Sequence, residues 1–118
     1  MLLAVAAVQS VATPAPVPAQ PIYVLTYEQG PKWIVGQPME KQRLLDHGRY
    51  LHRLMREGVV IGAGPFTGEH AGMALVRARD EAAARAILAA DPAIVEGIFV
   101  GRVRAWAVAI DSKRPLRD

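Results

Sequence analysis

"LLDHGRYLHRLMREGVVIGAGPF", residues 44–66, joins a helical pattern directly to a strand pattern. Apolar side chains recur at helical spacing from Met39 to Glu57, and Gly58 supplies a stop. Val59–Phe66 then has the apolar, β-branched start typical of a strand and closes with Gly64-Pro65. A helix over 39–57 followed at once by a strand indicates a domain that mixes the two element types.

Further element patterns lie on both sides of this stretch. Three more segments are typical of strands: Ile22–Glu28, Met73–Ala78 and Ile98–Ile110. Asp80 is a natural N-cap for a second helix over 81–90, and Asp91-Pro92 ends that helix and opens one more short turn. The order β-α-β-β-α-β predicts an α+β class domain with the ferredoxin-like βαββαβ arrangement.

Both faces of the predicted sheet are apolar, although helices can cover only one of them. Tyr23 and Leu25 alternate with Val24 on the first strand, and Val103 and Trp106 fall on opposite faces of the last. An exposed apolar face of this size needs a partner. The sequence therefore predicts a homodimer in which two copies pack sheet to sheet.

The composition excludes several kinds of chemistry. The chain has 118 residues, a formal charge of +3 and no cysteine, which suits one small domain without disulfides, thiolate nucleophiles or Cys-ligated metals. The serines are Ser10 and Ser112, both outside the predicted domain, and "GAGPFTG" precedes a strand rather than the helix a phosphate loop requires. We expect no cofactor and no metal. An enzyme of this sequence would use histidine–carboxylate acid–base chemistry.

The two ends of the chain differ in composition from the rest. Residues 1–20 are uncharged, with an apolar run that is too short to span a membrane and then passes into Ala, Pro and Val. They predict a signal peptide cut after Ala19, or a disordered Ala/Pro-rich extension, since a basic residue near the start is missing. A signal would make the protein periplasmic or secreted; without one it would be cytoplasmic. The domain is expected over 21–111, and 112–118 forms a polar tail.

Two histidines lie five residues apart on the first predicted helix. His47 falls inside its apolar arc, whereas His52 lies beside the arginine stripe and is expected at the surface. A buried imidazole needs a hydrogen-bond partner, so His47 is either a satisfied core residue or a functional one. Asp91 is the most interesting carboxylate because it follows the second helix, yet capping the turn opened by Pro92 explains it equally well.

Three stretches together resemble the YCII family, which belongs to the dimeric α+β barrel superfamily. They are "DHGRYLHRLMREGVVIGAGPF", "EAAARAILAADPAIVEGIF" and "RVRAWAV". The spacing of eleven residues from His47 to Gly58, the Gly64-Pro65 strand end and Asp91-Pro92 are similar to that family's pattern. Ala93 departs from it, because many members carry a larger residue there.

The resemblance implies a dimer with a cleft in each subunit and a catalytic histidine–aspartate pair, which here would be His47 and Asp91. A carboxylate beside an imidazole would fix its tautomer and raise its basicity. One related protein type is a dehydrochlorinase acting on a chlorinated hydroxyhydroquinone. The residues expected to contact a substrate are Tyr27, Trp33, Gly64, Pro65 and Phe66.

Two functions remain open. The first is a cofactor-free lyase or isomerase of a small aromatic or enol-type molecule, and the second is a non-catalytic ligand-binding or stress-related module with the same pocket. Nucleic-acid binding is not expected, because "MALVRA" (Met73–Ala78) lacks the aromatic signature of RNA-binding sheets. The arginines at 49, 53 and 56 are explained more simply as a solvated helix face.

Overall fold

The computed structural model describes residues 20–112. The predicted signal peptide over 1–20 and the tail over 112–118 lie almost wholly outside that range. The elements in chain order are β1 (Ile22–Gln29), a 3-10 turn (Met39–Lys41), α1 (Leu45–Arg56), β2 (Val60–Pro65), β3 (Gly72–Arg77), α2 (Glu81–Ala89), α3 (Pro92–Val95) and β4 (Phe99–Trp106).

The four strands form one antiparallel sheet in the order β2-β3-β1-β4. This order, with a helix after β1 and another after β3, is the predicted ferredoxin-like α+β arrangement, which is thereby confirmed. Tyr27 of β1 lies opposite Gly72 of β3 and Gly101 of β4. Neither glycine could carry a side chain without displacing a neighbour, because a Cβ on Gly101 would overlap Leu88 and one on Gly72 would overlap the carbonyl oxygen of Gly64.

The core lies between the helices and one face of the sheet. Along β1 the side chains of Tyr23, Leu25 and Tyr27 are buried, while the residues between them are only partly buried, as the period of two requires. Ala74 and Val76 of β3 continue the same face without measurable exposure. This alternation directs every second side chain of the central strands toward α1, α2 and α3.

The helix predicted over 39–57 is wrong in its first third. The structure has a 3-10 turn at Met39–Lys41, extended backbone at Gln42 and a non-helical Leu44 before α1 begins. The cause is the buried side chain of Gln42, whose Oε1 accepts from the backbone of Ile34 at 2.9 Å and whose Nε2 donates to the carbonyls of Ile34 and Gln37 at 3.0 and 3.2 Å. A side chain that bonds the preceding loop in this way holds residues 30–44 as a folded segment over the sheet.

The end of the first predicted helix and the start of the second lie where the sequence indicated. Gly58 follows α1 with a φ of 78°, the left-handed conformation expected of a helix-ending glycine. Asp80 caps α2, because its carboxylate accepts from the backbone N–H of Ala83 at 2.8 Å. The last strand ends at Trp106, four residues earlier than predicted.

The opposite face of the sheet is not covered by any element in residues 20–112. Ile22 and Leu75 are partly buried there, and Ile61 and Trp106 keep 42% and 45% of their surface exposed. These four side chains line a shallow groove of about 680 Å³. Within the described range, no helix is long and apolar enough to cross a membrane.

Candidate functional site

Asp91 is the anchor of the site, and its place follows from local sequence. It stands between α2 and α3, where Pro92 provides the first helical residue and Asp91 provides the N-cap. Its Oδ1 accepts from the backbone N–H of Ala93 at 2.9 Å. The side chain has no exposed surface, so this carboxylate is held in one orientation inside the protein.

His47 reaches the same carboxylate from the first turns of α1. Its Nδ1 lies 2.9 Å from Oδ1 and 2.8 Å from Oδ2 of Asp91. Because a carboxylate only accepts hydrogen bonds, the neutral ring carries its proton on Nδ1 and leaves Nε2 as a free lone pair. The sequence left capping and pairing as alternatives for Asp91, and in the structure one carboxylate makes both sets of contacts.

Tyr27 supplies a third donor that the sequence reasoning missed. Its hydroxyl donates to Asp91 Oδ2 at 3.1 Å. Burial is the main cause that raises the pKa of Tyr27 well above its ordinary value, and the negative charge of Asp91 adds to it. The signal that could have revealed this role was the β1 alternation, since a tyrosine on the helix-covered face needs a partner for its hydroxyl.

A group of aromatic rings holds the histidine in place. The ring centroids of Tyr27 and Phe99 lie 5.3 and 5.5 Å from that of His47, both in edge-on arrangements. Trp33 stacks on Phe99 with ring centroids 5.6 Å apart, and its ring centroid lies 5.3 Å from that of His70. These contacts restrict rotation of the imidazole, because turning it would break packing on two sides.

A cavity of about 300 Å³ lies beside the histidine. Its lining consists of Tyr27, Met39, Glu40, Leu44, His47, Gly64, Pro65, Ala71, Gly72, Met73 and Phe99. Most of these side chains are apolar or absent, so the cavity suits an uncharged or partly apolar molecule of roughly one ring. Nε2 is the nitrogen of His47 that is left to accept a proton, because Nδ1 is bonded to Asp91.

The residues predicted to bind substrate fall into two groups. Tyr27, Gly64 and Pro65 line the cavity. Trp33 and Phe66 do not: Trp33 is buried behind Phe99, and Phe66 lies just beyond the end of β2 with 38% of its surface exposed. Trp33 therefore supports the wall from behind instead of facing a ligand.

Part of the lining came from a segment with no recognisable site pattern. Met39, Glu40 and Leu44 belong to the loop before α1, which the sequence assigned to a continuous helix. Their position depends on the folded segment that Gln42 holds, so no local motif could have indicated it.

The remaining candidates lie apart from the cavity. His52 is exposed on the outer side of α1. Across residues 20–112, no three histidine, aspartate or glutamate side chains come close enough to hold a metal ion.

The family model described as YCII-related domain matches residues 22–107 of the chain. The matched range runs from β1 to the end of β4 and contains every residue that lines the cavity. Among curated proteins, none matches the chain.

Proposed function

Because this chain belongs to the YCII-related domain family, we propose that its cavity takes up a small aromatic or enol-type molecule and that the protein acts on it as a cofactor-free lyase or isomerase. The observation that carries the proposal is the buried Asp91 carboxylate bonded to a histidine that lines the cavity. An oriented imidazole beside a small cavity is the arrangement of a general base.

The roles follow from the geometry. Nε2 of His47 is the ring nitrogen left for a bound molecule, and it would remove a proton from an acidic C–H or O–H group. The ring would then carry a positive charge. Asp91 would stabilise that charge at 2.8 Å and keep the ring from turning. In an isomerisation, the same nitrogen would return the proton to another atom of the substrate.

One observation weighs against acid-assisted lyase chemistry and is compatible with an isomerase or with a non-catalytic module. The Tyr27 hydroxyl already donates its hydrogen bond to Asp91, so this phenol is not free to protonate a leaving group. A lyase whose leaving group must be protonated needs such an acid, whereas an isomerase, or a lyase that releases an anion such as chloride, can work with a single base. A non-catalytic small-ligand-binding or stress-related module would need only the contact with His47.

The experiment that separates these functions has two stages. Small phenolic, enol and lactone compounds are first screened for a rise in melting temperature on binding. Each hit is then incubated with the protein in D₂O, and exchange of a carbon-bound proton for deuterium is followed by NMR. Catalysis predicts exchange with the wild type and with His52→Gln, and loss of exchange with His47→Gln. Binding without exchange or product would favour the module.

We also propose that a second copy of the chain covers the open face of the sheet. The face carries Ile22, Leu75 and Trp106 together with charged side chains, which are one glutamate, Glu28, and three arginines at positions 77, 102 and 104. A two-fold arrangement would bury the apolar groups of both copies against each other. Sedimentation of residues 20–118 should give twice the chain mass, and Trp106→Glu should give a monomer. A wild-type monomer at micromolar concentration would overturn this proposal.

A further inference from the structure

The side chains that line the cavity offer hydrogen-bond acceptors but few donors. His47 Nδ1–H donates its hydrogen bond to Asp91, so the neutral imidazole shows only the Nε2 lone pair to a ligand. The same carboxylate accepts the hydrogen bond of the Tyr27 hydroxyl, whose oxygen then offers only lone pairs to a ligand. One buried carboxylate thus fixes the hydrogen-bond polarity of two lining groups.

Glu40 adds a negative charge to this wall. It lies in the 3-10 turn, is exposed and lines the cavity. In the described part of the chain its carboxylate makes no hydrogen bond or ion pair. The lining includes no lysine or arginine, and the nearby Arg43 lines a different groove, beside Lys32 and Glu96. The charges fixed at this cavity are therefore negative.

Resting on the proposed function, we infer that this cavity selects ligands by charge and hydrogen-bond polarity: it takes neutral or cationic molecules that donate a hydrogen bond to His47 Nε2, and Glu40 binds an ammonium or other donor group at the opening. Carboxylates and phosphates are rejected. A bare carbonyl on the reacting end is also disfavoured.

The reason is that an acceptor-rich wall leaves a ligand acceptor unpaired. A carbonyl or ether oxygen placed against Nε2 would lose its water without gaining a donor, and so would the nitrogen. An anionic group would in addition face Glu40 and, behind the imidazole, Asp91, with no lining cation to offset them. An ammonium group at the opening would instead be attracted to the carboxylate of Glu40.

The test compares ligands that share one ring and differ at one end, using isothermal titration at pH 8. Tyramine carries an ammonium group, 4-ethylphenol is neutral, and 4-hydroxyphenylacetate is an anion. For the phenol end, 4-ethylanisole and ethylbenzene lack the donor, one being larger and the other smaller than 4-ethylphenol. We expect tyramine to bind about tenfold or more tightly than 4-hydroxyphenylacetate, and 4-ethylphenol about tenfold more tightly than both non-donors.

Three single-residue variants test which side chains cause this ligand selectivity. Glu40→Gln should bring the affinities of tyramine and 4-hydroxyphenylacetate within about threefold of each other. Glu96→Gln, which removes the same charge from the other groove, should leave the ratio unchanged. His47→Gln should abolish the preference for 4-ethylphenol over the non-donors.

The outcomes distinguish this inference from the function beneath it. If 4-hydroxyphenylacetate binds as tightly as tyramine and still requires His47, the proposed site stands and the charge selection is wrong. The same holds for polarity if 4-ethylanisole binds as tightly as 4-ethylphenol. If no member of the series binds, or all bind equally well to His47→Gln, both the proposed site and this inference are overturned.

Discussion

Replacing Tyr27 by phenylalanine tests the arrangement of the site through protein stability alone. The change removes one oxygen and leaves the ring that packs against His47 and Phe99. It deletes the hydrogen bond to Asp91 but keeps the two other donors of that carboxylate, His47 and the backbone of Ala93. Packing is preserved, so the measured difference reports the hydrogen bond.

The magnitude depends on pH. A hydrogen bond to a charged acceptor contributes about 2 kcal/mol, which is the expected loss of unfolding free energy at pH 7. The pKa of Tyr27 is raised in the folded protein, so the unfolded chain loses this proton first as the pH rises. The stabilising effect is therefore complete up to about pH 9 and declines from there, with a loss of about 0.4 kcal/mol at pH 10 and about 1.4 kcal/mol at pH 11.

The wild type and Tyr27→Phe should therefore differ by about 2 kcal/mol at pH 7 and by only about 0.6 kcal/mol at pH 11. The raised pKa of Tyr50 adds its own alkaline loss, but it is present in both proteins and cancels. The assay is urea unfolding from pH 7 to 11 at one fixed protein concentration, so that any dimerisation contributes equally. Tyr23→Phe, on the same strand and face, controls for loss of a tyrosine hydroxyl away from Asp91. A difference that stays constant across this pH range would refute the reasoning.

Three further predictions address the pair, the packing and the N-terminus. In Asp91→Asn, the side-chain amide should donate to His47 Nδ1, so that the ring proton moves to Nε2. The ¹⁵N shifts of the ring nitrogens report this change, with His52→Gln as the control. An unchanged tautomer would contradict the pairing of His47 with Asp91. Gly30→Ala should lower the free energy of unfolding by about 1–3 kcal/mol, because its Cβ would overlap the carbonyl oxygen of Gly97. Gly62→Ala is the control in thermal unfolding, because its Cβ meets open space. Equal melting temperatures of the two variants would show that the backbones of Gly30 and Gly97 can separate. If residues 1–19 are an export signal, protein from the periplasm or medium should begin at Gln20 by intact mass, and cytosolic protein that retains Met1 would count against export.

Much of the fold could be predicted because the deciding signals are local. The alternation along β1, the stop at Gly58 and the cap at Asp80 act through neighbouring residues only, and each is found where the sequence indicated. The prediction failed at residues 39–44, where helical spacing was present. There the side chain of Gln42 bonds the backbone of a loop eight residues earlier, and three such bonds outweigh a weak helical preference.

The sequence by itself determined that His47 lies on the inner side of a helix and that Asp91 begins a short one, since helical period and capping chemistry are properties of a few adjacent residues. Only the tertiary structure decided that these side chains meet, because 44 residues and three strands or helices separate them. Packing of α1 and α3 on one face of the sheet closes that distance and brings Tyr27 to the same carboxylate from 64 residues away. Glu40 was placed at the cavity in the same manner. Its neighbours in sequence indicate a helix, and its position at the opening follows from a loop that the buried Gln42 holds against the sheet.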